Sequence, residues 1–165
     1  MRDKTLKIPV FVSYPSRFEG EPGRAPVMGF LRSHVLENSL EWTTIGMAPF
    51  SNSPIKSLLS AMRGCYGGLV LGFTESRVDR DDTSGGVEIV SPWRQIEAAM
   101  LLARDIPVLM LRERNVRGGL FEPGEYLMAE MPAIDGPNHG FEAAFNIWAT
   151  KVKQLYEKVN STFDV

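Results

Sequence analysis

The chain has little that would staple, chelate or anchor it. One cysteine, Cys65, in 165 residues excludes an internal disulfide and suits a reducing compartment. Only two histidines are present, His34 and His139, far apart in sequence. A zinc site or a Ser-His-Asp triad therefore has little support, and no metal is expected. Neither sign of charge dominates: 18 Lys and Arg against 20 Asp and Glu leave a net charge of -2, which gives no reason to expect a nucleic-acid partner. No apolar run approaches the ~20 residues of a membrane span. The N-terminal stretch Met-Arg-Asp-Lys-Thr-Leu-Lys lacks a signal-peptide core. The expectation is a cytoplasmic protein with no membrane partner.

What is present is an ordinary globular composition, 44% hydrophobic and 23% charged. The length fits one domain, since domains usually run to ~100–200 residues. No internal repeat, low-complexity stretch or linker divides residues 1–165, and only the tail at 161–165 reads as frayed. Residues 8–14 (IPVFVSY), 66–73 (YGGLVLGF) and 106–111 (IPVLML) are short apolar runs, the pattern of strands buried on both faces of a parallel sheet. Helical periodicity occupies 26–38, 54–64 and 92–104. A weaker strand lies at 41–46 and a possible fifth at 126–131. From Asn138 a last helix carries Phe141, Phe145, Trp148, Val152, Leu155 and Val159 at three- and four-residue steps, an amphipathic stripe. The alternation predicts a flavodoxin-like, doubly wound α/β sheet of about five strands in the order 2-1-3-4-5.

In such sheets ligands bind beyond the carboxyl ends of the strands, where strand order reverses. Here that point lies between the first and third strands. The loops leaving those strands, 13–25 and 75–90, are the longest in the chain, and loops beyond ~12–15 residues are often functional. A third lip, 112–126, carries three arginines and three glycines.

The loop at 75–90 delivers the chain to Ser91-Pro92-Trp93-Arg94-Gln95-Ile96-Glu97. Ser91 can cap a helix and Pro92 suits its first position, which puts Glu97 in the second turn. The residues three and four further on are Met100 and Leu101, so the face Glu97 shares is expected to be buried. A charged carboxylate there is costly unless it is paired or working; the plainer alternative is a solvated helical glutamate. Neutralising Glu97 is expected to leave folding unharmed or improved.

Other signals are weaker. Gly64-Cys65-Tyr66-Gly67-Gly68 precedes a strand instead of following one, so it is not the phosphate turn of a dinucleotide fold; its expected work is to end a helix. Cys65 reads as a buried filler. Asp79, Asp81 and Asp82 lie among arginines, which favours a solvated charged loop over a cation site.

Phe11-Val12-Ser13-Tyr14 ending the first strand, Ser91, Trp93 and Glu97, and Ile106-Pro107-Val108 in the strand after that helix resemble the Toll/interleukin-1 receptor (TIR) domain over the first ~115 residues of a domain of ordinary size. The match is to the family's Ser-x-Trp-Cys-x-x-Glu segment, with Arg94 in place of the cysteine and a longer, more charged stretch at 75–90. The chain is also similar to nucleoside 2-deoxyribosyltransferases, whose catalytic Glu opens the equivalent helix beside an alanine- and glycine-rich run like Glu97-Ala98-Ala99. Both families act on an N-glycosidic bond at ribose. The TIR resemblance implies hydrolysis of NAD to nicotinamide and ADP-ribose or its cyclic form, with NAD as substrate and no further cofactor. It also implies a role in bacterial defence against phage, and self-association through residues 46–57.

The chemistry of such a cleavage also follows from the residues. Cleavage passes through an oxocarbenium-like state that a carboxylate stabilises electrostatically or captures covalently. One Glu suffices when the leaving base is already positively charged, as nicotinamide is in NAD. Trp93, four residues before Glu97, shares its helix face and would position the carboxylate or wall the pocket. Tyr14 and Phe18 would stack on a flat base, Arg17 would meet a phosphate, and Ser13 and Ser91 complete the substrate-binding set. Two alternatives stand beside NAD cleavage: a nucleoside or nucleotide deoxyribosyltransferase or hydrolase, and a non-enzymatic adaptor or sensing module in which Glu97 is structural.

Overall fold

Strict alternation along three short strands builds the two sides of the core. In Ile8–Ser13 (β1), Val10 and Val12 face one side and Phe11 the other. Gly68–Gly72 (β3) sends Leu69 and Leu71 to the first side and Val70 to the second. Val108–Arg112 (β6) does the same with Leu109 and Leu111 against Met110. This period of two, apolar on both faces, requires cover on both sides. Helices supply it. Arg24–Glu37 (α1) and His139–Ser161 (α4) bury Leu31, Val35, Phe145, Trp148 and Val152 on the first face. Pro54–Arg63 (α2) and Pro92–Leu102 (α3) bury Leu58, Met62, Ala98 and Leu101 on the second.

The computed structural model describes residues 7–15, 23–44, 54–78, 86–124 and 126–161. Leu40–Thr43 (β2) and Met128–Glu130 (β7) complete a five-stranded sheet in the order β2-β1-β3-β6-β7, parallel at every pairing. This is the expected flavodoxin-like arrangement, with strand order reversing between β1 and β3. No helix among the described residues is long and apolar enough to cross a membrane.

One feature differs from the expectation. The stretch at 75–90 is not a plain loop: Ser76–Val78 (β4) and Val87–Ile89 (β5) form a separate antiparallel pair, Arg77 opposite Glu88. Three-residue strands are too short for their alternation to stand out. The β6–β7 crossover, read from the sequence as a lip, holds a single 3-10 turn, Gly119–Phe121, and no α-helix among its described residues. Arg112 holds that crossover, donating from Nη1 to the carbonyls of Val116 at 2.9 Å and Phe121 at 3.0 Å. Burial, reinforced by Arg117, presses its guanidinium below the ordinary arginine range.

The glycine-rich run after α2 does end that helix, and it also admits α4. A Cβ on Gly67 would sit 2.4 Å from Val152 Cγ2. The bare backbone lets Trp148 come close enough to donate its indole N–H to the Pro107 carbonyl at 3.1 Å.

Candidate functional site

Helix α3 starts at Ser91, which is extended (φ -61°, ψ 153°), with Pro92 at the first position. The Ser91 carbonyl accepts from the backbone N–H groups of Arg94 and Gln95 at 3.1 and 3.4 Å. Its hydroxyl does not cap the helix as expected: it makes no capping bond and donates instead to Glu75 Oε1 at 3.0 Å. An acceptor just ahead of β4 competes successfully with the helix's own N–H groups.

Helical spacing then stacks Trp93, Arg94 and Glu97 on one side of α3, since residues three and four apart are neighbours. Glu97 is buried, only 4% exposed, with Arg94 at 7% and Ser13 at 2%. Trp93 donates from Nε1 to Glu97 Oε1 at 3.0 Å. Glu97 Oε2 accepts from the Ser13 hydroxyl and from Arg94 Nη1, the latter an ion pair within one turn of helix. Arg94 Nη1 also reaches Ser13 Oγ at 3.4 Å, and Arg94 Nε lies 3.6 Å from Glu75 Oε1. That Nε is buried and makes no hydrogen bond among the described residues. Glu97 is thus a paired buried carboxylate. Losing either member of such a pair is strongly destabilising, because the other is left charged in low dielectric.

A carboxylate offers about four lone-pair sites. Among the described residues three are taken, one on Oε1 and two on Oε2. The remaining site on Oε1 is where Glu97 has capacity to meet a developing positive charge.

Of the residues singled out from sequence, Ser13 and Trp93 are brought onto Glu97, and Ser91 is joined to it through Glu75 and Arg94. Tyr14 follows the alternation of β1 to the opposite face: its ring meets Trp42 edge-on at 5.8 Å, against the core on the α1 and α4 side. Arg17, Phe18, Asp79, Asp81, Asp82 and most of 46–57, Phe50 included, lie outside the described residues. Arg94 and Glu75 were not anticipated. The available signal was an arginine three residues before a glutamate on an otherwise apolar helix face.

A second polar cluster, also unanticipated, sits at the same end of the sheet on the α1 side. Glu113 accepts from Arg24 Nε at 3.3 Å and from the Thr74 N–H at 2.6 Å. Arg24 Nη2 donates to the Thr74 carbonyl at 2.8 Å, and the Thr74 hydroxyl to Glu88 Oε2 at 2.9 Å. These bonds tie the start of α1 and the β4–β5 hairpin to the ends of β3 and β6. A cavity of about 270 Å³ lies between α1 and β2, lined by Arg32, Val35, Leu36, Leu40 and Trp42. It is on the opposite face of the sheet from Glu97, so it is not the space this carboxylate would serve.

Cys65 is buried, and its thiol donates to the Ala61 carbonyl at 3.4 Å. Burial pushes that thiol above its ordinary range, which suits a filler and not a nucleophile. His34 packs among Phe30, Phe141 and Phe145.

No protein-family model matches the chain, and no curated protein matches its sequence.

Proposed function

We propose that the protein cleaves the N-glycosidic bond of NAD between nicotinamide and ribose, with Glu97 as the carboxylate that stabilises or captures the oxocarbenium-like sugar. The observation that carries the proposal is the placement of Glu97. It is buried beside the carboxyl end of β1, where strand order reverses, and oriented by Trp93 and Ser13. A carboxylate in low dielectric acts more strongly on a developing positive charge than one in water. The resemblance of the Ser91, Trp93 and Glu97 spacing to TIR domains supports NAD as the substrate. It also supports self-association through 46–57 and a place in bacterial defence; the single buried thiol suits the cytoplasm.

A second reading, transfer or hydrolysis at a nucleoside, is favoured by Glu75. A neutral leaving base needs a proton, and Glu75 is a second carboxyl linked to Glu97 through Arg94. Incubating the purified protein with NAD and, separately, with deoxynucleosides, then separating products by chromatography, tests the two together. Nicotinamide released by the wild type and lost in Glu97→Gln supports the first. Base exchange on deoxynucleosides alone replaces it with the second. Neither product, with partner binding retained in Glu97→Gln, leaves the carboxylate a structural ion pair in an adaptor.

A further inference from the structure

Arg94 stands where a catalytic carboxylate would gain most from having no cation. We infer that Arg94 is a displaceable counter-ion that holds Glu97 in check, and that Glu75 is the station to which it withdraws. The inference rests on Glu97 being the reacting carboxylate.

Three donors hold Glu97, and they differ in kind. Trp93 and Ser13 are neutral, so they orient the carboxylate without cancelling its charge. Arg94 is a full positive charge on Oε2, buried with it. Attraction between charges grows as the dielectric falls, so a guanidinium in contact diminishes what the carboxylate can offer a second cation. With Arg94 withdrawn, the two neutral donors still fix the geometry.

The withdrawal has a destination. Arg94 Nε is buried and makes no hydrogen bond among the described residues, yet it lies 3.6 Å from Glu75 Oε1, within ion-pair reach. A rotation of the Arg94 side chain that carries Nη1 off Glu97 Oε2 would turn this ion-pair contact into a charge-assisted hydrogen bond of ~2.9 Å to Glu75. Glu75 is itself steadied by the Ser91 hydroxyl and by its own N–H, which donates to the Ile89 carbonyl at 3.0 Å. Glu75 immediately precedes β4, and β5 runs through Val90 into Ser91 and α3. Displacement of this hairpin by a ligand or a second copy would therefore alter the distance between Glu75 and Arg94 directly.

The test measures NAD turnover and, independently of turnover, labelling of Glu97 by a water-soluble carbodiimide with glycine ethyl ester, read by mass spectrometry. Arg94→Gln is expected to raise turnover roughly tenfold or more, the scale of one charge contact at a reacting centre, and to make Glu97 label faster. Glu75→Gln takes away the alternative partner, so it is expected to lower turnover several-fold; the double variant should follow Arg94→Gln. Turnover at or below wild type in folded Arg94→Gln overturns the inference. If Glu97→Gln is then still inactive, NAD cleavage stands without the check. Faster labelling in Arg94→Gln with no NAD cleavage by any variant retains the counter-ion and removes the substrate. Should Arg94→Gln fail to fold, Glu75→Gln decides, because it leaves the buried pair intact: unchanged or raised turnover there overturns the inference.

Discussion

Ser13 and Glu97, 84 residues apart in the chain, meet through the serine hydroxyl's bond to the carboxylate. The carboxyl end of β1 is thereby joined to the second turn of α3. Replacing Ser13 with Ala removes one donor from a charged acceptor, a loss of about 1.5–3 kcal/mol. Each kcal/mol lowers the melting temperature of a chain this size by about 2–4 °C. Thermal melts of Ser13→Ala against wild type are expected to show that drop. Turnover should fall as well, chiefly in kcat, since the carboxylate loses an orienting bond.

Glu97→Gln separates charge from shape. Turnover of NAD is expected to fall by hundreds of times, the equivalent of ~3–4 kcal/mol of charge stabilisation. Stability is expected to fall too, by about 3–5 kcal/mol, because Arg94 is left charged without its buried partner, which reverses the sequence-based expectation of unharmed or improved folding. An amide presents one acceptor and one donor group where the site supplies only donors. Whichever way it turns, either Trp93 or the Ser13 and Arg94 pair faces an N–H. Urea unfolding midpoints measure the cost, and near wild-type turnover in this variant would show that the site is elsewhere.

Gly67→Ala provides a control remote from Glu97. Its new Cβ would press Val152 Cγ2 at 2.4 Å and Trp148 Nε1 at 3.3 Å. Overpacking of this kind costs about 1–3 kcal/mol. The variant should melt earlier while NAD turnover at 25 °C stays near wild type.

Cys65 makes stability depend on pH in the alkaline range. Burial raises its thiol in the folded protein, so above the ordinary thiol value of ~8.5 the folded chain keeps a proton that the unfolded chain has lost. Stability from this group is therefore full below that value and declines as pH rises past it. Denaturation midpoints between pH 7 and 10 should show the decline in wild type and less of it in Cys65→Ala. In native buffer a thiol reagent should react slowly, and rapidly once denaturant is added.

The proposed self-association through 46–57 predicts that specific activity rises with protein concentration. Phe50→Asp should abolish the rise and leave the monomer folded, as judged by circular dichroism and sedimentation. Constant specific activity on dilution, unaltered by Phe50→Asp, would point to a self-contained pocket and to the nucleoside reading.

The sheet was legible because burial on both faces leaves a continuous apolar run, as at 106–111, that few other elements imitate. The burial of Glu97 was legible for a related reason. Leu101, one turn on, is fully buried, and Met100 partly so. Its partners were less so. Arg94 reads in sequence as a departure from a family pattern, whereas its ion pair depends on helical phase and on Glu75 arriving from a separate hairpin. Tyr14 has the ring that would stack on a base, but it follows Ser13 along a strand, and successive side chains there point to opposite faces. Ser91 was assigned to its helix because short-range capping is the common use of such a serine. A competing carboxylate sixteen residues earlier leaves no local trace.

The sheet ends in strands of four residues at β2 and three at β7. An edge of that length exposes few unpaired N–H and C=O groups, and short edges are one means by which proteins avoid templating further chains. Edges this short give a second copy little to pair with, so assembly by lengthening a common sheet is disfavoured. Crowding the protein to high concentration should therefore yield discrete, reversible particles in place of fibres that bind amyloid dyes.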